Sequence, residues 1–200
     1  MKVSIFGRGS VGTKLTNLFA EAGYDVAVCA REASEGVLNF EDGATIADMI
    51  VVAIPYVAAE SVLSSLKEEL KSKVVIDATN PLNDDWSPLL LGQETSAGEE
   101  IAKLVPNSFV VKAFNTIFAD VMSKECHDRD GQKITAFIAG DDDEAKNKVL
   151  EVAERIGFSP LNVGPITMSR YLEAMAHLNI NIAVGQGGGT SAAFVYHQTK

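Results

Sequence analysis

The chain has 200 residues, 46% of them hydrophobic, and a formal net charge of −10. That length and composition suffice for a substantial buried core in one domain. The excess of acidic residues argues against nucleic acid or an anionic membrane as the main partner. Cys29 and Cys126 lie far apart without a C-x-x-C motif, which suggests neither a zinc site nor a disulfide framework. The start shows no signal peptide and no stretch reaches the length of a membrane span, so we expect a soluble, cytoplasmic protein.

The first twelve residues combine an apolar strand with a glycine-rich turn. The strand covers residues 3–6, the turn reads Gly7-x-Gly9-x-x-Gly12, and apolar residues then recur at helical spacing until Gly23. In such a strand, turn and helix the first glycine permits the tight turn. The second lets a pyrophosphate approach the backbone, and the third lets helix and strand pack closely. The amides at the helix start then face the phosphates. The turn therefore predicts a dinucleotide site that contains Gly7, Arg8, Gly9, Ser10, Val11 and Gly12.

Strands and helices alternate along most of the remaining chain. Further strands are predicted at about 26–29, 49–54, 74–78, 109–114, 135–139 and 160–163. Helices are predicted at about 58–70, 97–104 and 143–156, with a long loop around Asp84-Asp85-Trp86. Short apolar runs without alternation are typical of strands buried on both faces of a parallel sheet. The pattern therefore predicts a doubly wound, mostly parallel α/β fold of the Rossmann type with right-handed crossovers.

The pattern changes at Pro165. Thr167 or Ser169 can cap a long apolar helix that runs to about residue 184, followed by a glycine-rich loop at 185–189 and a predicted final strand at 192–196. We divide the chain into a nucleotide-binding domain of residues 1–164 and a C-terminal helix–loop–strand extension of residues 165–200. The extension is too short to be an independent domain.

The end of the second predicted strand bears on the choice between NAD and NADP. An NAD enzyme usually places an acidic residue there for the ribose 2′-hydroxyl, whereas this strand ends Cys29-Ala30-Arg31. Arg31 together with Arg8 favours a 2′-phosphate, because guanidinium groups bind phosphate bidentately. Glu32 is the rival, since a shift of one residue would make it a ribose ligand. We expect NADP(H), with Ala30 and Arg31 among its contacts.

Small polar turns follow the later predicted strands, whose carboxyl ends should line the nicotinamide end of the site. They contain Ile54-Pro55-Tyr56, Asn80-Pro81 and Asn115. Asparagine offers donors and acceptors to a carboxamide or ribose, although it is equally a common turn residue. We include all six residues in the predicted cofactor site.

Two polar clusters resemble metal or catalytic sites. Residues 140–144 read Gly-Asp-Asp-Asp-Glu, which we interpret as a helix N-terminus where carboxylates cap free amides, rather than as a metal site. Cys126-His127-Asp128 resembles a catalytic fragment. Adjacent residues in a polar loop rarely point at one another, so we predict that this segment is surface.

The C-terminal helix carries a row of polar residues on one face. Arg170, Glu173, His177 and Asn181 are spaced i, i+3, i+7 and i+11. One interpretation is a structural network in which Arg170 pairs with Glu173 and His177 bonds to a backbone group. The other is that His177 and Asn181 point into the crevice beside the nicotinamide. His177 would then be a tentative catalytic residue that positions the acceptor or supplies a proton.

The apolar residues of the same helix do not form one stripe. Such a helix needs two partners, which predicts a contact with the sheet domain and a second one in a two-fold homodimer. The alternative is complete burial under the last residues of the same chain.

Several of these stretches together resemble the NADP oxidoreductases that depend on the deazaflavin coenzyme F420. They are the glycine turn, the strand end at Cys29-Ala30-Arg31, Ile54-Pro55, the acidic run at 140–143 and Gly164-Pro165 before Ser169-Arg170. The last stretch, with Glu173 and residues 178–180 behind it, is the most discriminating. The resemblance covers nearly the whole chain. Two departures concern Ala30, where the family has a hydroxyl, and the turns around Asn80 and Asn115.

The resemblance implies that NADP(H) exchanges hydride with a deazaflavin ring held between the nucleotide domain and the C-terminal helix and loop. Similar domains in ferric and cupric reductases pass electrons to a flavin, FMN or FAD, instead. We therefore expect an NADPH-dependent oxidoreductase whose acceptor is coenzyme F420 or a flavin.

Two alternatives remain open at this point. One is a non-catalytic NADP-binding or sensing module, and the other is a reductase of another small acceptor such as a quinone or an imine. A hydroxyacid or imine dehydrogenase normally adds a helical domain of about a hundred residues with a catalytic lysine. Only 35 residues follow Pro165, and the predicted helix there has no lysine.

Overall fold

The computed structural model describes residues 1–89 and 94–199. The ten strands of this part are β1 (Lys2–Phe6), β2 (Asp25–Ala30), β3 (Val37–Asn39), β4 (Met49–Val52), β5 (Val74–Asp77), β6 (Phe109–Lys112), β7 (Asp128–Arg129), β8 (Gln132–Lys133), β9 (Thr135–Gly140) and β10 (Ser159–Gly164). The six α-helices are α1 (Ser10–Glu21), α2 (Phe40–Ile46), α3 (Tyr56–Leu63), α4 (Ala97–Leu104), α5 (Asp143–Arg155) and α6 (Ser169–Ile180).

The main sheet has eight strands in the order β10-β9-β6-β5-β4-β1-β2-β3. β1 pairs in parallel with both β2 and β4, so the strand order reverses beside it. Such a switch point opens a crevice at the carboxyl ends of the strands, which is where Rossmann-type domains bind ligands. Most neighbours are parallel, and β6 pairs with β9 in the antiparallel sense. The predicted mostly parallel α/β fold is confirmed.

Helices cover both faces of the sheet because successive strand residues point to opposite sides. Met49 and Val51 of β4 pack in the cluster that contains Leu15 of α1 and Val149 of α5. Ile50 and Val52 pack in the other cluster, with residues of α2, α3 and α4. Both faces of the central strands are therefore buried, which explains their continuous apolar sequences.

The structure corrects several predicted boundaries. The helix predicted at 58–70 is α3, which ends at Leu63. The hydroxyls of Ser61 and Ser65 donate to the carbonyls of Ala58 and Val62, a local bonding that competes with continued helix. β3, α2 and the β7–β8 hairpin were not predicted. Asn39 caps α2, since its side chain accepts from the Asp42 amide over 2.7 Å.

The extension differs from its prediction at both ends of the glycine-rich loop. α6 ends at Ile180 and continues as a π-helical turn over Asn181–Gly185. The strand predicted at 192–196 is wrong. This segment has no regular structure. Its hydrogen bonds to the sheet are to Thr135, which donates to the Phe194 carbonyl and whose hydroxyl accepts from the Tyr196 amide, and Phe194 packs in the cluster that contains Phe137. No helix among the described residues is long and apolar enough to cross a membrane.

Candidate functional site

The glycine turn after β1 is held by close backbone packing. Gly7 has a φ of +118°, and a Cβ there would lie 2.3 Å from the Ala53 carbonyl oxygen. A Cβ on Gly12 would lie 2.2 Å from the Gly7 carbonyl oxygen. At Gly9, by contrast, a Cβ would meet nothing within 4 Å. The first and third glycines therefore allow the turn and the helix to pack, while the second leaves open space over the backbone.

The N-terminus of α1 carries neither a side-chain cap nor an acidic residue in its first turn. Three other helices differ, because Asn39, Ser96 and Asp142 cap α2, α4 and α5, each followed by two acidic residues. An uncapped N-terminus presents amide donors and the positive end of the helix dipole. Together with the open space at Gly9, these amides fit a pyrophosphate.

Arg8 and Arg31 occupy equivalent positions on neighbouring strands. Phe6 and Cys29 are register partners in β1 and β2, and each arginine stands two residues beyond its partner. Both side chains are exposed, as is that of Glu32. The sheet therefore brings the two arginines to the same edge, beside the glycine turn, without deciding between Arg31 and Glu32 as the ribose-end ligand.

A cleft of about 500 Å³ runs from the glycine turn to the C-terminal helix. Its lining is drawn from the turns after β1, β4, β5 and β6, from the loop at 82–86 and from α6. The predicted cofactor residues that line it are Gly9, Ser10, Val11, Ile54, Pro55, Tyr56, Asn80 and Asn115. The predicted residues outside its lining are Gly7, Arg8, Gly12, Ala30, Arg31, Pro81 and His177. α6 instead contributes Ala176, Asn179 and Ile180.

A pair of asparagines joins the turns after β5 and β6. The Asn80 amide donates to the Asn115 carbonyl over 2.8 Å, and the Asn115 amide donates to the Asn80 side-chain oxygen over 2.9 Å. Asn115 also donates to the Leu172 carbonyl of α6 over 3.1 Å. The Asn115 side-chain oxygen and the Thr79 hydroxyl are buried without a protein partner among the described residues. Both residues line the cleft, so a bound ligand is the candidate partner of these two atoms.

A buried ion network lies behind this part of the cleft. The Lys112 ammonium is fully buried, 2.8 Å from an Asp77 oxygen and 2.9 Å from a Glu173 oxygen, and it donates to the Thr79 carbonyl. Burial lowers the pKa of Lys112, but the two carboxylates outweigh burial and raise it overall. Glu173 also accepts from the amides of Ala97 and Gly98 at the start of α4. The network ties α6 to the sheet and to α4.

The expected pairing of Arg170 with Glu173 is therefore wrong. Arg170 instead donates to both carboxylate oxygens of Glu99, at 2.8 and 2.7 Å, because Glu173 is drawn inward by Lys112. The hydrogen bonds from Arg170 lower the pKa of Glu99.

The two histidines of interest lie outside the cleft lining. His177 is half-buried, and burial lowers its pKa, although Glu173 and the Pro81 carbonyl act in the opposite direction. Asn181 is exposed. His127, predicted at the surface, is buried against the Phe158 ring at a centroid distance of 4.2 Å. The His127 ring also packs closely over Gly157, where a Cβ would lie 2.5 Å from its Nδ1, and this tertiary contact, which the sequence did not reveal, explains the difference.

The acidic run behaves as predicted for a helix N-terminus. Asp142 caps α5 by accepting from the Ala145 amide over 2.8 Å, and Asp141 accepts from the Ile166 amide over 2.9 Å. No group of three metal-ligating side chains occurs within residues 1–89 and 94–199.

Sequence reasoning missed part of the cleft. Thr79, Thr116, Asn179 and four residues of the loop line it, the four being Leu82, Asn83, Asp84 and Trp86. Asn179, a polar residue between Leu178 and Ile180, was the available signal for α6. The loop offered none, because its position depends on the fold.

A profile of the family described as "NADP oxidoreductase coenzyme F420-dependent" matches residues 2–81. The chain is 30% identical to the F420-dependent NADP reductase of Methanocaldococcus jannaschii, over 74% of this chain and 67% of that protein. It is 31% identical to metalloreductase STEAP3 of Rattus norvegicus, over 87% of this chain and 36% of the relative. The chain thus spans only about a third of that metalloreductase.

Among solved structures, the chain resembles a protein of Arthrobacter sp. FB24 that is provisionally described as an F420-dependent NADP reductase. The TM-score is 0.89 at 25% identity, with 99% of this chain and 100% of the other covered. A likeness of this extent agrees with the sheet order and the glycine turn. The chain belongs to the family of NADP oxidoreductases dependent on coenzyme F420.

Proposed function

We propose that the protein is an NADPH-dependent reductase that passes hydride to a flat redox ring, either coenzyme F420 or a flavin such as FMN or FAD. The observation that carries this proposal is the single cleft that joins the glycine turn to the asparagine pair and to α6. Rings placed in one continuous cleft can face each other without an intervening side chain. The relatives named above, an F420-dependent NADP reductase and a metalloreductase, support the same proposal.

When bound, NADPH supplies a hydride, a proton with two electrons, so that NADPH becomes NADP⁺ and a solvent proton completes the reduced acceptor. The protein's own contribution is to position the nicotinamide and the acceptor ring and to exclude water. This contribution needs no catalytic acid or base. Thr79 and Asn115 offer the unpartnered polar atoms that would hold the nicotinamide carboxamide. Burial raises the pKa of the Tyr56 hydroxyl, with Glu100 and Glu173 adding to the effect, so this phenol stays a hydrogen-bond donor.

We propose that the nucleotide is NADP(H) and that its 2′-phosphate lies between Arg8 and Arg31. Their equivalent positions beyond the paired ends of β1 and β2 support that placement. The same proposal places the protein in the cytoplasm, where NADPH is the reducing nucleotide.

We further propose a homodimer that pairs α6 helices. Tyr171, Leu178, Ile182 and Val184 of α6 and the turn after it are all exposed large apolar residues. Exposed apolar surface of this kind is typical of protein interfaces. Light scattering at micromolar concentration should give twice the 21.3 kDa chain mass, and the mass of one chain would exclude the dimer.

The reductase proposal is tested by mixing the purified protein anaerobically with NADPH and a panel of F420, flavins, a quinone and an imine. We expect NADPH oxidation with F420 or a flavin. Oxidation only with the quinone or the imine would replace the acceptor class, and binding of NADPH without oxidation by any acceptor would favour the non-catalytic module.

A further inference from the structure

The turn after β5 contains a residue whose backbone is bound by two charged side chains. Asp77 is the last residue of β5 and is the register partner of Lys112 in β6. Asp77 accepts from the Thr79 amide over 2.8 Å, and the Lys112 ammonium donates to the Thr79 carbonyl over 2.7 Å. The second Asp77 oxygen accepts from the same ammonium over 2.8 Å. Both backbone polar groups of Thr79 are therefore held by one buried ion pair.

These bonds fix a residue that lines the cleft. Thr79 is 3% exposed, and its hydroxyl is buried without a protein partner among the described residues. Hydrogen bonds to charged groups are shorter and stronger than those between neutral groups, which restricts movement of the Thr79 backbone. Since threonine is β-branched, its hydroxyl takes few positions once the backbone is fixed. The hydroxyl is thus held in place by contacts that leave it unused.

The two carboxylates beside Lys112 have different local contacts. Asp77 bonds to the Thr79 amide, whereas Glu173 bonds to the amides of Ala97 and Gly98 at the start of α4. Both keep the lysine charged, since together they raise its pKa in spite of burial. Desolvation of buried charges offsets much of their attraction, so the ion pair of Asp77 and Lys112 is a weak source of net stability. Its distinctive contribution is the fixed geometry of Thr79.

Asn115, in the turn after the neighbouring strand, is fixed by neutral groups. Its amide group donates to the Asn80 side-chain oxygen and to the Leu172 carbonyl, which uses both of its hydrogens. Its own side-chain oxygen is left as an acceptor, buried and without a protein partner within residues 1–89 and 94–199. A hydroxyl that can donate and an oxygen that can only accept match the carbonyl and the NH₂ group of a primary carboxamide.

We propose that Asp77 and Lys112 are positioning residues that act through Thr79. By holding both backbone polar groups of Thr79, they place its hydroxyl for the nicotinamide carboxamide. This inference rests on the proposed function, which has the carboxamide bound by Thr79 and Asn115.

Two ligands isolate the nicotinamide half of the nucleotide. NADPH carries the carboxamide, whereas adenosine 2′,5′-bisphosphate carries the 2′-phosphate and lacks the nicotinamide. Calorimetric titration gives the Kd of each. Thr79→Val should raise the Kd of NADPH about fivefold, the loss of one hydrogen bond, and leave that of the bisphosphate unchanged. Thr79→Ser keeps the hydroxyl and should restore most of the lost affinity. An unchanged NADPH Kd in Thr79→Val overturns the proposal.

A matched pair of variants tests the positioning residues. Asp77→Asn and Glu173→Gln each remove one carboxylate from Lys112. The amide in Asp77→Asn has one acceptor oxygen in place of two, so either Thr79 or the ammonium loses its bond to this side chain. We expect the NADPH Kd to rise about fivefold in Asp77→Asn and to change by less than about twofold in Glu173→Gln. An equal rise in both variants, or an equal rise for the bisphosphate in Asp77→Asn, overturns the proposal.

A double-mutant cycle decides whether Asp77 acts through Thr79. If it does, adding Thr79→Val to Asp77→Asn should raise the NADPH Kd by less than about twofold further. Independent action would multiply the two effects to about 25-fold, which overturns the proposal. If Asp77→Asn does not fold, Lys112→Met takes its place in the cycle, because it removes the ammonium that bonds to the Thr79 carbonyl.

Turnover separates this inference from the proposed function. If the cycle shows that Asp77 acts through Thr79 but no acceptor oxidises NADPH, the proposed reductase fails while the positioning role stands. If F420 or a flavin oxidises NADPH but the effects of the two substitutions multiply, the positioning role fails while the reductase stands.

Discussion

At the scale of single residues, the second and third glycines of the turn, Gly9 and Gly12, give opposite predictions. Gly12→Ala places a Cβ 2.2 Å from the Gly7 carbonyl oxygen, so we expect a loss of about 1–3 kcal/mol in the free energy of unfolding. Gly9→Ala meets nothing in the protein and should leave that free energy nearly unchanged. Its methyl group would occupy the space proposed for the pyrophosphate, so the Kd for NADPH should rise.

Urea unfolding and NADPH titration of both variants check this contrast. Equal NADPH affinity in Gly9→Ala and the unaltered protein would contradict the placement of the pyrophosphate.

Arg31 carries the proposed preference for NADP. Arg31→Gln should weaken NADPH by about 1–3 kcal/mol, because a charge-assisted hydrogen bond to the 2′-phosphate is lost. NADH, which lacks that phosphate, should bind as before. Glu32→Gln is the companion variant, and calorimetric titration of both nucleotides measures the effect. Equal weakening of both nucleotides in Arg31→Gln, or weakening of NADH in Glu32→Gln, would make Glu32 the ribose ligand.

Burial lowers the pKa of both His127 and His177 below the ordinary value of 6.5, which makes folding depend on pH. Each imidazole is held neutral in the folded chain, and the unfolded chain takes up the proton first. The stability they contribute is therefore complete above about pH 6.5 and is lost as the pH falls through the lowered pKa.

Urea unfolding between pH 7.5 and 5.5 should show this decline. His127→Phe keeps the ring contact with Phe158 and should flatten the dependence by at most about 1.4 kcal/mol per pH unit. His197→Gln is an exposed control that should not change it. The same slope in the His127 variant and the unaltered protein would count against the buried neutral imidazole.

At the scale of elements, α6 is positioned by one buried carboxylate. Glu173→Gln leaves the Lys112 ammonium paired with Asp77 but removes the charged hydrogen bonds of the Glu173 carboxylate, so we expect a loss of about 1.5–3 kcal/mol in the free energy of unfolding. Glu99→Gln breaks the more exposed pair with Arg170 and should cost about 1 kcal/mol or less. Urea unfolding compares the two, and equal losses would contradict the anchoring role of Glu173.

Helices α4 and α6 show where sequence reasoning succeeds and stops. Helix α4 was predicted at its observed bounds, and its Ser96 cap and first-turn acids are local features of the kind that a sequence shows. The partner of Glu173 was not predictable. Lys112 lies on β6, and the two residues meet only after the sheet and α6 have packed together.

At the scale of the whole molecule, the fold could be predicted because the strands are unbroken apolar runs and the helices have apolar residues at helical spacing. Apolar runs such as 49–52 and 74–76 are buried on both faces of the sheet, and such a pattern can be recognised in a single sequence. The short β3 and the β7–β8 hairpin did not follow, because two- or three-residue strands carry no periodicity. The cleft lining at 82–86 depends on how a long loop returns across the sheet edge, which is a tertiary property.

Hydride transfer itself is the most direct test of the proposed reductase, and it is followed as NADPH and acceptor absorbance in one anaerobic mixture. We expect that NADPH and the acceptor ring, F420 or a flavin, are consumed one for one in the presence of the protein and not without it. Tight binding of NADPH together with no oxidation by either ring would contradict the proposed hydride transfer.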